Sequence, residues 1–114
     1  MLMTLMNMWQ MLCVHIIYYY DFVIKSLKII IEYNGERFHP NPKWLTEDKV
    51  KWDNWSCLYS YETANEKYKF DTLKNKVAED VGFIVIPIFS SDNMLDKLKE
   101  ILYIVKNKIE ELND

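Results

Sequence analysis

The chain has 114 residues, half of them hydrophobic, with only two glycines and a formal net charge of −3. That length supports one hydrophobic core and excludes two domains, and the composition excludes a disordered chain. The negative balance excludes indiscriminate attraction to nucleic acid, which depends on neutralising phosphates, yet it leaves room for a local basic groove from the mid-chain lysines, Lys43 to Lys76.

Residues 1–20 carry no Asp, Glu, Lys or Arg, and five of the first eleven are methionines. The stretch is long enough to span a bilayer. Against a span stand Asn7, Gln10 and His15 and the lack of a basic flank, and neither a positive start nor a small-residue cleavage site marks a signal peptide. The reading is a short apolar helix or irregular lead-in over 1–10, then a buried strand over 11–20, with no membrane span and a cytoplasmic location. A small membrane-associated interaction protein using this segment is the alternative. Cys13 and Cys57 have no zinc-type spacing; they read as free buried thiols of a reducing compartment, with a disulfide between them as the alternative.

Residues 20–34 read as a β-hairpin. A two-residue loop at Ser26-Leu27 would pair Lys25 with Lys28 and set Asp21 opposite Glu32, with Cβ atoms about 5 Å apart. Two carboxylates so placed repel, and a divalent cation with hard oxygen ligands is a natural compensation. The plainer alternative is a pair of surface acids on an alternating strand. Ile29-Ile30-Ile31 lacks that alternation and reads instead as a strand buried on both faces, so an acid at its end needs a partner. The strand stops at Asn34-Gly35, and His39 follows just past the turn.

Residues 36–61 look irregular, with Pro40 and Pro42 and with Trp44, Trp52 and Trp55 as packing residues rather than base-stacking wedges. Thr63-Ala64-Asn65-Glu66 is a capping box that opens a helix to about residue 81, with Gly82 as its stop and Phe70, Leu73, Val77 and Val81 as its core stripe. Residues 83–89 read as a buried strand in which Pro87 suggests an edge position or a local irregularity. Ser91 or Asp92 is expected to cap a final helix to about residue 112, with Leu95, Leu98, Leu102, Val105, Ile109 and Leu112 as its apolar stripe. The order predicts one α/β domain: a mixed sheet with a hairpin-rich start and a helical crossover, flanked by helices. Within it, residues 1–18 are an atypical apolar segment, 19–92 the core and 93–112 the C-terminal helix.

The run Tyr20-Asp21-Phe22-Val23, then Ile31-Glu32-Tyr33-Asn34-Gly35, then Phe38-His39, resembles the core of very-short-patch-repair-type endonucleases. It is similar also to related phage homing endonucleases within the PD-(D/E)XK nuclease superfamily. Asp71, followed at the family's interval by Val81-Gly82-Phe83, an apolar strand and Phe89-Ser90-Ser91-Asp92, extends the likeness over about residues 18–92. The resemblance implies a restriction-endonuclease-like fold and hydrolysis of DNA phosphodiester bonds with Mg²⁺ or Mn²⁺, of the homing or mismatch-nicking type. It implies Asp21, Glu32 and the Tyr33 backbone carbonyl as metal ligands, and His39 in proton transfer with Asp71 orienting it. Lys43, Lys67 and Lys74 would contact DNA, and a homodimer would suit such a small domain. Asn34 stands where the superfamily has lysine, no acid precedes Asp21, and Phe89-Ser90 replaces the usual Trp-Glu. The zinc-binding cysteines are missing, so no structural zinc is implied. A catalytically degenerate domain that binds DNA or a protein partner is the alternative within the same family.

Overall fold

The computed structural model describes residues 20–114, so the readings for residues 1–19, His15 and Cys13 among them, lie outside the described residues. Strands β1 (Phe22–Ile24) and β2 (Ile29–Asn34) pair antiparallel, with Phe22 opposite Ile31 and Val23 opposite Ile30. This is the expected register. The connection differs: Lys25–Leu27 form a 3₁₀ turn and Lys28 takes a left-handed conformation (φ 53°), so no Lys25–Lys28 ladder pair forms. A two-residue hairpin loop needs positive φ at its centre, which Ser26-Leu27 disfavours. The longer turn moves that strain to a single residue.

Helix α1 (Trp44–Glu47), helix α2 (Lys49–Asn54) and helix α3 (Ala64–Asp80) follow, before strand β3 (Ile84–Phe89) and helix α4 (Met94–Asn113). β3 runs parallel to β2, with Ile30 beside Val85 and Glu32 beside Pro87, giving the sheet order β1-β2-β3 among the described residues. The chain is therefore mixed α/β, and Pro87 sits on an outer strand, where its missing N–H is least costly. Two short helices occupy the stretch expected to be irregular; the Asp48 carboxylate caps the second by accepting the Lys51 N–H. They bury Trp44 and Trp52 against Ala64, with Trp55 packed alongside, which fits the reading of these tryptophans as packing residues.

The α3 capping box forms as expected: Thr63 Oγ1 accepts the Glu66 N–H, and Glu66 Oε1 accepts the Thr63 N–H. The helix ends at Gly82, whose φ of 94° is one that side-chain-bearing residues rarely adopt. Its core stripe differs from the expected one. Val77 is buried and Val81 half-buried, but Phe70 and Leu73 are nearly half exposed. The face turned to the sheet runs instead through Lys67, Asp71, Lys74 and Ala78.

The reason lies in β2. Strand alternation puts Ile30, Glu32 and Asn34 on one face, and all three are buried. Ile30 joins Tyr20, Val77, Ala78 and Phe83 in an apolar cluster, whereas buried Glu32 demands a polar partner, and α3 answers with Lys74 at the matching level. Helix α4 departs too. Asn93, not Ser91 or Asp92, is its N-cap, its side chain accepting the Asp96 N–H, and no α4 residue is fully buried.

Candidate functional site

Two polar clusters meet the inner face of α3. In the first, Glu32 is 5 % exposed and both its carboxylate oxygens are engaged: Oε1 accepts the Asp21 backbone N–H at 2.7 Å, and Oε2 accepts from Lys74 Nζ at 2.9 Å. Asp21 in turn accepts the Tyr33 N–H through Oδ2 at 2.9 Å. The expected apposition of Asp21 and Glu32 is therefore present. Its repulsion is relieved by one lysine and two backbone donors, so electrostatics alone does not demand a cation there. Lys74 is further held by the Tyr20 ring, 4.8 Å from its Nζ, while the Tyr20 hydroxyl donates to the Lys74 carbonyl at 2.9 Å.

In the second cluster, His39 Nδ1 lies 2.8 Å from Asp71 Oδ2, and Lys67 Nζ stands 3.4 Å from Asp71 Oδ1. His39 is placed by the turn after β2, where its N–H donates to the Gly35 carbonyl. Asp71 and Lys74 are three residues apart on α3, so the two clusters are neighbours within one helical turn, about 5–6 Å between Cβ atoms. With Asp71 ionised, the His39 proton sits on Nδ1 and the opposite nitrogen, Nε2, is left to accept or donate one. A cleft of about 400 Å³ opens beside Asp71, lined also by Asn34, Thr72, Asn75, Pro87 and Phe89.

Among the described residues no three His, Cys, Asp or Glu side chains gather as a metal-holding group. Glu32, expected as a ligand, has no free oxygen in this arrangement. Asp21 is exposed and uses only Oδ2, so its Oδ1 is open to a cation or a water. Magnesium is commonly held by one or two carboxylates while it keeps several waters, and the open oxygen of exposed Asp21 is compatible with that sparse mode. Of the three lysines assigned to DNA, Lys67 and Lys74 are committed to these ion pairs, and Lys43 is exposed beside α1 and joins neither cluster.

Two features had no counterpart in the sequence reading. Glu36 ties the turn after β2 to the loop after β3: its Oε1 accepts from Ser90 Oγ and from the Ser91 N–H. Burial alone would raise its carboxyl pKa, but the hydrogen bonds outweigh that and hold it below the ordinary value. The Cys57–Glu62 loop carries Tyr59 and Tyr61 at φ 73° and 60°, about 80 % exposed, and the Tyr59 ring lies 6.3 Å from Phe38, the neighbour of His39. Neither has a sequence signature. The inward lysines did have one, because Lys67, Asp71 and Lys74 are spaced four and three apart, which places them on one helix face.

No protein-family model, curated protein or solved structure matches the chain.

Proposed function

We propose that the chain is a metal-dependent DNA endonuclease domain of the very-short-patch-repair-like type, with a restriction-endonuclease-like core. The observation that carries this is the His39–Asp71 pair at 2.8 Å, joining two residues singled out separately by their spacing to Gly35 and to Gly82. It stands one helical turn from the Asp21–Glu32–Lys74 cluster. The antiparallel hairpin followed by a helical crossover to a parallel strand supports the same fold. No helix among the described residues is long and apolar enough to cross a membrane.

In this reading Asp21 is the carboxylate that holds Mg²⁺ or Mn²⁺, together with the Tyr33 carbonyl. When bound, the cation polarises a phosphoryl oxygen and acidifies a water. Glu32 serves as a positioning residue, accepting the Asp21 N–H and keeping Lys74 at the site. Lys74 thereby brings the positive charge that Asn34 does not supply from the strand. His39, with Nδ1 fixed by Asp71, moves a proton through Nε2. Phe38, the neighbour of His39, and Tyr59 form an exposed aromatic pair, and exposed rings of this kind stack on unpaired bases.

The test is incubation of supercoiled plasmid with the chain in Mg²⁺ or Mn²⁺, with Asp21→Ala alongside. Nicking or linearisation by the wild type and none by the variant is the expected result. Salt-sensitive DNA binding with no cleavage by the folded wild type would overturn the enzymatic reading in favour of a binding domain.

A further inference from the structure

Two amide side chains beside Asp71 have no partner among the described residues. Asn34 is only 8 % exposed at the end of β2, where its backbone pairs with Phe89, yet its side chain makes no hydrogen bond. Asn75, half-buried on α3, makes none either. Both line the cleft of about 400 Å³. Buried polar groups are almost always paired, so an amide left in this condition is one that a molecule entering the cleft completes.

We propose that this cleft binds a single nucleobase turned out of the DNA, an inference that rests on the endonuclease reading of the neighbouring residues. Three features set the chemistry of the ligand. Each amide offers an N–H donor beside a carbonyl acceptor, an edge that meets a nucleobase edge in two parallel hydrogen bonds. The walls are flat and apolar, made by the rings of Pro40, Pro42, Pro87, Tyr68 and Phe89, and they suit a planar ring. The remaining charges are mostly acidic: Asp71, Glu79 and Asp80 stand against Lys76, whose Nζ lies 3.4 Å from Asp80. Such a lining repels a phosphate or carboxylate and admits a neutral ring.

The position agrees with the chemistry. Asp71 belongs both to the cleft and to the His39 pair, so a base held here fixes its strand beside the group assigned to proton transfer. Asn34 also follows Glu32 on the same face of β2, about 6–7 Å further along the strand. Turning a base out of a duplex costs stacking and pairing energy, least where the base is already unpaired, so the cleft favours such sites.

The test titrates the full chain, labelled with nitrogen-15 and kept in EDTA so that no cleavage intervenes, with each 2′-deoxynucleoside and with inorganic phosphate. Nucleosides should shift the Asn34 and Asn75 side-chain amide resonances saturably, and phosphate should not. A duplex with one bulged base should give the same shifts, and a fully paired duplex far smaller ones. Asn34→Leu should weaken nucleoside binding about tenfold or more, the worth of one lost amide edge. Its far-UV circular dichroism should be unchanged, because no hydrogen bond within the protein is removed. Should that variant fail to fold, Asn75→Leu decides by the same criteria. Silent amides, undiminished binding by the folded variant, nucleoside shifts that the bulged duplex does not reproduce, or equal shifts from the paired duplex would each overturn the proposal. Base binding by a chain that never cuts plasmid would sink the endonuclease reading alone, and cleavage with silent amides would remove only the cleft.

Discussion

The contact between α3 and the sheet has two halves that obey opposite rules. Toward the helix C-terminus, Val77 and Ala78 pack on Ile30 and Phe83 without a polar atom to satisfy. Toward its N-terminus the same face carries Lys67, Asp71 and Lys74 onto Glu32 and His39. The apolar half is the cheaper way to hold a helix on a sheet, because burying paired charges recovers little beyond their desolvation. Ion pairs in half of this contact contribute little net stability, so these side chains are the ones on which the proposed function draws. The difference marks out the candidate site.

Substitutions can break this contrast at several depths. Asp21→Ala should abolish plasmid nicking while leaving thermal unfolding almost unchanged, because Asp21 is exposed. His39→Gln should lower the cleavage rate about 10²–10⁴-fold, the usual worth of a positioned proton-transfer group, with far-UV circular dichroism intact. In the apolar half, Ile30→Ala should cost about 2–5 kcal/mol in urea unfolding, since the side chain is fully buried. Glu32→Gln strands Lys74 and should cost up to about 3 kcal/mol. Replacing both partners, Glu32→Leu with Lys74→Met, should recover that loss or exceed it, with cleavage still absent. A double variant that loses stability as well would show that the polar half holds the fold.

The smallest effect is expected at Glu36. Its carboxyl lies below the ordinary value of 4.5, so its stabilising contribution is present at neutral pH and is lost as the pH falls below that value. Glu36→Gln should therefore lower Tm at pH 7, and the gap from wild type should close in acid. A gap independent of pH would remove the charge from the explanation.

Much of this contrast could be read from the chain, though unevenly. The β2 register, the capping box and the stop at Gly82 were legible because each depends on a few adjacent residues with strong local preferences. The inward face of α3 was not, because hydrophobic spacing selected Phe70 and Leu73 while burial followed the demand set by Glu32, more than thirty residues away. The same spacing picked out the apolar stripe of α4, from Leu95 to Leu112, although all its members but the half-buried Val105 are 45–67 % exposed. Pairwise chemistry such as Asp21 with Glu32 or His39 with Asp71 could be anticipated. The commitment of both Glu32 oxygens to Lys74 and to the Asp21 N–H could not, because it depends on the angle at which α3 crosses the strands.

The crossover has a consequence for the order of events in folding. The hairpin is local, and it brings Asp21 and Glu32 together as soon as two short neighbouring strands meet. Lys74 and Asp71 reach their partners only when α3 lies back over the sheet and β3 docks beside β2, pairing residues as distant as Ile29 and Ile84. Contacts of that sequence separation close late, because loop entropy must be overcome first. The proposed chemistry is thus withheld from any partly formed chain, and competence to cut would arise in one step with the last and slowest contact of the fold.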